Sequence, residues 1–301
     1  MAFIETLKNI IKEGNVIENE PMNIHSSFKT GGNADYFVSP SSAEETAEII
    51  KAAKKENIPY LVIGNGSNIL VSDKGIRGVV IQIGKGMAYA EGKDGKYIIG
   101  AGTLLSSAAS KICEDGYTGF EFASGIPGSF GGALYMNAGA YGGEMKDVVK
   151  WVKVIDENLE VKTLTNEEMA FGYRKSIATE KKYIITEGCI ELKKGNKEEI
   201  AKYSAELNAK RREKQPLNYP SAGSTFKRPE GYFAGKLIED SGLKGYSVGG
   251  ACVSEKHAGF VVNKGGATTE DVLEVIKHCQ DVVYEKFGVK LETEVKIVGE
   301  F

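Results

Sequence analysis

The residues with the plainest chemical potential form a loop, Gly64-Asn65-Gly66-Ser67-Asn68, set between two short apolar segments at 60–63 and 69–71. Glycine lets a backbone approach a ligand closely and adopt positive φ, and successive N–H groups can form an anion cradle. The Ser67 hydroxyl and the Asn65 and Asn68 amides could add hydrogen bonds to phosphate oxygens. Taken alone, the segment reads first as a strand–turn–strand hairpin. It matches neither the dinucleotide fingerprint GxGxxG nor the phosphate loop GxxxxGK[ST], and it lacks the helix that should follow either.

A second stretch, SGIPGSFGGALYMNAGAYGG at 124–143, is built of glycine, alanine and serine with Ile126, Phe130, Leu134, Tyr135, Met136 and Tyr141 interspersed. Such a run builds no core by itself, and a disordered linker would not carry those apolar residues. Backbone lying against a flat ligand or against another chain suits it, as does tight internal packing. A basic cluster, Lys210, Arg211, Arg212 and Lys214, reads as a solvated helix face that could also meet phosphates. Cys113, Cys189, Cys252 and Cys279 lie far apart, as do His25, His257 and His278, and no metal-ligand spacing occurs. No metal site is expected.

These residues must be positioned by a mixed set of elements. Apolar residues Phe3, Ile4, Leu7, Ile10 and Ile11 predict an N-terminal helix. Ser42 with Glu45 matches a capping box opening a helix to about 57. Strands are expected at 60–63, 69–71, 79–83, 97–99, 148–155, 161–164, 183–192 and 293–298, and helices at 103–115, 197–212, 234–241 and 269–287. The last helix carries Val272, Ile276, Cys279 and Val283 on one stripe. The interleaving is irregular, which predicts an α+β fold. A Pro-bounded loop at 215–220 marks a junction.

With 301 residues and 42% hydrophobic content the chain can bury full cores. A net charge of -3 gives no general attraction to nucleic acid. The N-terminus lacks the basic start and continuous apolar stretch of a signal peptide, and no run approaches the roughly 18–20 apolar residues of a membrane span. A soluble protein retained in the cytoplasm is expected, with neither nucleic acid nor membrane as a partner.

Five motifs in order give the sequence a resemblance: GNGSNILVSD, ASGIPGSFGGALYMNAGAYGGE, YRKS, SAGSTFKRP and LETEVKIVG. Together, from about residue 23 to 299, they closely resemble the UDP-N-acetylenolpyruvoylglucosamine reductase (UDP-N-acetylmuramate dehydrogenase) family, in its short form. The resemblance implies an FAD-binding region of the vanillyl-alcohol-oxidase type with two α+β subdomains, at 1–75 and 76–200, and a C-terminal α+β substrate-binding domain at 201–301. It implies NADPH-dependent reduction of UDP-N-acetylglucosamine enolpyruvate to UDP-N-acetylmuramate, a cytoplasmic step of peptidoglycan synthesis, by a monomer. Gly64, Asn65, Gly66, Ser67 and Asn68 would hold the FAD pyrophosphate, and Ser124, Gly125, Ile126, Ser129, Gly131, Gly132, Asn137, Gly139 and Ala140 would lie along the cofactor. The first loop contains no His or Cys, so FAD is expected to be held non-covalently.

The same resemblance implies the catalytic residues. Hydride added to the β-carbon of the enolpyruvyl double bond leaves negative charge at the α-carbon, delocalised into the carboxylate. Arg174, in FGYRKS, matches the family arginine that forks onto that carboxylate. Glu294, in LETEV, matches the glutamate on its other side, which helps only if protonated or bridged. Ser224, in SAGSTFK, matches the proton donor, with Ser221 as a rival that the motif's register sets aside. Lys227, Arg228 and Lys214 are candidates for the substrate's diphosphate or acidic end, with Arg211 and Gln215 of second rank, and Tyr173 and Tyr219 suit stacking on the uridine or flavin or, more simply, core packing. Two other readings share the fold: an FAD-dependent sugar or alcohol oxidase, and a catalytically silent nucleotide-binding scaffold.

Overall fold

The N-terminal apolar spacing yields the helix Phe3–Ile10, whose Phe3, Ile4 and Leu7 are buried. The structure, a computed structural model, describes residues 3–301. The chain forms two compact units, each drawn from separate stretches: residues up to 18, 36–65 and 78–211 in the first, and 19–35, 66–77 and 212–301 in the second.

The first unit is centred on a five-stranded sheet in the order Val161–Thr165, Val149–Ile155, Ile184–Glu191, Lys96–Gly100, Ala90–Lys93. All its pairings are antiparallel. Buried residues of this sheet join those of the helices Ala43–Lys55, Leu105–Glu114 and Phe130–Tyr135 in one core, which includes Ile49, Tyr97, Ile99, Phe130, Leu134 and Val152. The capping box read at Ser42 is half formed. Ser42 Oγ accepts from Glu45 N at 3.1 Å, but the Glu45 carboxylate takes Ser41 N and Ser41 Oγ instead, at 2.7 and 2.9 Å. Those hydrogen bonds, with one from Lys12 N, hold the Glu45 carboxyl below its ordinary range although burial opposes them.

The second unit has its own core, built around the helix Thr269–Phe287. Val272, Ile276, Cys279 and Val283 are all buried, as the stripe predicts. Thr268 and Asp271 form a reciprocal capping box, and Gly288 at φ 67° ends the helix. A three-stranded antiparallel sheet, Ser247–Val248, Ala251–Val253, Val261–Asn263, packs on this helix. Ile69–Val71 pairs in parallel with Lys296–Val298.

Several expectations shift. The segment 60–71 is no hairpin: Tyr60–Ile63 pairs in parallel with Ile76–Gln82, within a four-stranded sheet, while Ile69–Val71 pairs elsewhere. The strand expected over 293–298 spans only Lys296–Val298, with Thr293 in an isolated bridge to Phe226. Val16–Pro21, Asn33–Val38 and the three strands at 247–263 do not stand out in the sequence pattern.

Candidate active site

Within the first unit lies a cavity of about 940 Å³, at the upper end of the roughly 300–1,000 Å³ usual for ligand pockets. Gly64, Ser129, Gly131 and Gly132 line it, so the two glycine-bearing stretches of the sequence meet at one place. Much of its remaining wall is apolar and aromatic, with Tyr60, Val62, Ile63, Ile83, Ala101, Tyr135 and Tyr183, and Lys54, Asn57, Thr179 and Lys182 complete it. The meeting is close: a Cβ at Gly64 would lie 2.5 Å from Ser129 Oγ, and one at Gly131 2.6 Å from Ala101 Cβ. Ser129 caps the helix Phe130–Tyr135 by accepting from Gly132 N at 3.3 Å, while Gly131 N donates to Ala101 O. Burial raises the Tyr135 phenol above its ordinary pKa. Tyr60, Tyr135, Ala101 and Ile83 had no signal in sequence beyond their apolar type.

The rest of the glycine-rich stretch serves other neighbours. Ser124 Oγ accepts from Asn208 Nδ2 at 3.2 Å, and a Cβ at Gly125 would meet Asn208 Oδ1 at 2.7 Å and Arg211 Cδ at 3.0 Å. Both therefore pack on the helix Lys197–Lys214. Burial of Arg211 in this packing works against its charge, with Tyr141 opposing the shift. Gly139 and Ala140 pair with Gly143 and Glu144 in a small hairpin.

Arg174 sits at the tip of a tight turn in which Gly172 and Lys175 bond each other's main chain, Gly172 N to Lys175 O at 3.0 Å and Lys175 N to Gly172 O at 3.3 Å. Its φ is 55°, and its guanidinium carbon lies 5.2 Å from the Tyr173 ring centroid. Two residues tie this turn to the glycine-rich stretch: Asn137 Nδ2 donates to Gly172 O at 3.1 Å, and the buried Ser176 hydroxyl donates to Tyr135 O at 2.6 Å.

In the second unit Ser224 and Glu294 lie on facing antiparallel segments. Glu294 N donates to Thr225 O at 2.8 Å, Lys227 N donates to Glu292 O at 2.9 Å, and Phe226 bridges Thr293. Thr225 is also held from the other side, donating its N–H to Gly259 O and accepting from Val261 N at Oγ1, both at 2.9 Å. Gly223 at φ 75° precedes Ser224, which is exposed while Thr225 and Phe226 are buried. Asn68 joins the same place: its Nδ2 donates to Glu294 O at 3.1 Å and its O accepts from Lys296 N at 3.0 Å. Gly66 adopts φ 64° with its open side against His25, where a Cβ would lie 1.8 Å from the carbonyl oxygen.

Among the phosphate candidates, Lys227 Nζ pairs with Glu292 at 2.9 Å, which holds the Glu292 carboxyl low. The Arg228 guanidinium carbon lies 4.0 Å from the Phe233 ring centroid, with Nε donating to Tyr232 O at 3.3 Å. Lys214 ends its helix exposed. A second cavity, of about 720 Å³, is lined instead by Arg212, Gln215, Tyr219, Lys256 and Lys264, and Gln215 Oε1 is buried there with no hydrogen-bond partner in the protein. Burial lowers the His257 pKa. Among the described residues no group of three or more His, Cys, Asp or Glu is arranged to hold a metal ion, and no described helix is long and apolar enough to cross a membrane.

Residues 34–165 match the FAD binding domain family, and residues 215–298 match the UDP-N-acetylenolpyruvoylglucosamine reductase C-terminal domain. A UDP-N-acetylenolpyruvoylglucosamine reductase of Caldanaerobacter subterraneus subsp. tengcongensis is 56% identical over 99% of this chain and 98% of its own length. One of Lachnoclostridium phytofermentans is 53% identical, over 99% of this chain and 98% of its own. The crystal structure of the Thermus caldophilus enzyme of that name superposes with a TM-score of 0.79 at 36% identity, covering 95% of this chain and 98% of that one. Physcomitrella patens BBE-like 1, at 17% identity and a TM-score of 0.50 over 64% of this chain and 45% of its own, shares the fold alone. The α+β architecture is thus an FAD-binding region followed by a C-terminal domain. With identity above one half running almost end to end, this chain belongs to the UDP-N-acetylenolpyruvoylglucosamine reductase family.

Proposed function

We propose that Arg174, Ser224 and Glu294 carry the reaction that membership of this family assigns to the chain, the NADPH-dependent reduction of UDP-N-acetylglucosamine enolpyruvate to UDP-N-acetylmuramate. The observation that supports it best is the register that sets Glu294 beside Ser224, with Glu294 N on Thr225 O at 2.8 Å and Asn68 on the Glu294 carbonyl.

FAD, when bound, accepts hydride from NADPH and supplies it to the substrate's double bond. The residues of the first unit suit such a group: Gly64, Gly131 and Gly132 remove side-chain bulk from a cavity whose other walls are largely apolar and aromatic, with Lys54 and Lys182 among its polar residues. Gly64, Ser129, Gly131 and Gly132 would hold it, non-covalently, with Asn65, Gly66, Ser67 and Asn68 at its phosphates.

The chain's own work begins with the substrate carboxylate. The Arg174 guanidinium forks onto it and stabilises the charge that develops when the β-carbon gains hydride. Glu294 takes the carboxylate's other side. The Ser224 hydroxyl then gives its proton to the α-carbon on one face, and solvent restores that proton. A neutral hydroxyl is a weak acid, but a carbanionic centre held in line is basic enough to receive its proton. Lys227, Arg228 and Lys214, all in the second unit, are candidates for the diphosphate, and Arg212 and Gln215, which line the 720 Å³ cavity, join them. The setting we propose is the cytoplasm, with the enzyme acting as a monomer and engaging neither nucleic acid nor membrane.

A visible spectrum of the purified protein tests this. Flavin bands should bleach under anaerobic NADPH and return on adding the enolpyruvyl nucleotide sugar. A colourless protein, or bands that NADPH leaves unchanged, would overturn the reading.

A further inference from the structure

Asn137 lies in the glycine-rich stretch, yet its side chain is spent within the protein. It is 1% exposed and makes three hydrogen bonds: Nδ2 to Glu144 Oε2 at 2.7 Å, Nδ2 to Gly172 O at 3.1 Å, and Oδ1 from Lys146 N at 3.0 Å. The last bond fixes the amide's orientation, because a backbone N–H can only donate. Both Nδ2 hydrogens are therefore committed, one to a carboxylate behind and one to the turn in front.

That turn carries Arg174. Its closing bond from Lys175 N to Gly172 O is long, at 3.3 Å, and Asn137 supplies the same carbonyl with a second donor. Arg174 sits at φ 55°, a conformation that a branched or long side chain keeps only where the surroundings hold it. Asn137 is itself at φ 45°, a region asparagine tolerates. The Glu144 carboxylate, also paired with Lys146 Nζ at 3.1 Å, anchors the amide from behind. We infer that Asn137 is a positioning residue: it holds the Gly172 carbonyl so that the Arg174 guanidinium is presented to the substrate carboxylate. This rests on the reading of Arg174 as the carboxylate clamp.

Asn137→Asp keeps the size, the tolerance of positive φ and the acceptor for Lys146 N, but removes both donors and sets a second carboxylate against Glu144. Asn137→Gly keeps the backbone conformation and deletes all three bonds. Calorimetry on the FAD-loaded enzyme would compare UDP-N-acetylmuramate with UDP-N-acetylglucosamine, which lacks the lactyl carboxylate. In Asn137→Asp, and in Arg174→Ala, the preference for the carboxylate-bearing ligand should fall about tenfold, with affinity for UDP-N-acetylglucosamine unchanged. Reoxidation of reduced flavin by the enolpyruvyl substrate should slow about 100-fold while reduction by NADPH stays near wild type. Adding Asn137→Asp to Arg174→Ala should cost nothing further.

Equal loss for both nucleotide sugars, release of FAD from both Asn137 variants, or additive losses in the double variant would each overturn the inference, as would a preference left intact in Asn137→Asp while Arg174→Ala loses it. Should Arg174→Ala itself keep the preference, the clamp reading falls, a result distinct from failure of Asn137 alone.

Discussion

In the first unit the turn bearing Arg174 is closed by its own Gly172–Lys175 main-chain bonds but tied to the glycine-rich stretch by side chains, the Asn137 amide on Gly172 O and the Ser176 hydroxyl on Tyr135 O. In the second, the segments bearing Ser224 and Glu294 are joined to each other by main-chain bonds, Glu294 N to Thr225 O and Lys227 N to Glu292 O, with Thr225 N on Gly259 O, and side chains (Asn68 Nδ2 on Glu294 O, Thr225 Oγ1 from Val261 N) only add to them. Main-chain bonds survive most substitutions, so the Ser224 region should tolerate changes beside it that leave its buried donors and acceptors paired. The Arg174 turn depends on the identity of residues distant in sequence, and its geometry can be lost without touching Arg174.

The sharpest break in this comparison is Ser224→Ala. Reduction of the flavin by NADPH should remain near wild type, while its reoxidation by substrate slows by about 10³-fold. Stopped-flow absorbance resolves the two halves, and equal slowing of both would remove Ser224 from proton donation. Arg174→Lys comes next, with about 10²-fold lost from reoxidation, since a point-charge ammonium cannot reproduce the planar fork. Near-normal turnover there would contradict the clamp.

Thr225→Val sharpens the contrast by attacking a side-chain bond in the main-chain-held region. Thr225 is 1% exposed and its Oγ1 accepts from Val261 N at 2.9 Å, so its loss leaves a buried donor unpaired. Stability should fall by about 1–3 kcal/mol in urea unfolding, with turnover of the folded enzyme near wild type. A large loss of turnover at unchanged stability would show that Ser224 depends on side chains as Arg174 does. The smallest effect is expected from Glu292→Gln. Its carboxyl is held below the ordinary range by Lys227, so the pair's contribution is present above the unfolded carboxylate pKa and lost as pH falls through the folded one. The pair is exposed, and the main-chain bond from Lys227 N persists in the variant. The melting temperature at neutral pH should not change measurably.

How much of this was readable in the sequence follows from how local each cause is. The helix Thr269–Phe287 was legible because its stripe of Val272, Ile276, Cys279 and Val283 lies wholly within it. The strands at 247–263 are two or three residues long, too short for an alternation to register. Asn33–Val38 follows two glycines and opens on Asn and Asp, so it reads as loop until its sheet partner is known. A division into contiguous stretches cannot express units in which 19–35 and 66–77 join 212–301. Arg174, Ser224 and Glu294 were legible only as members of family motifs. The glycine at 66 is required by the His25 carbonyl, and Asn137 acts on a turn far along the chain; neither cause lies in the neighbouring residues.

The parallel pairing of Ile69–Val71 with Lys296–Val298, and the Asn68 bond to Glu294 O, impose an order on biosynthesis. A ribosome must finish the segment beyond 296 before the strand that follows Gly64–Asn68 finds its mate. Until then Asn68 has no Glu294 carbonyl to hold. Such distant pairing is slow to close, so the second unit matures only once residues 296–298 are free to pair, and truncation before 292 removes the segment that faces Ser224 however intact the preceding chain.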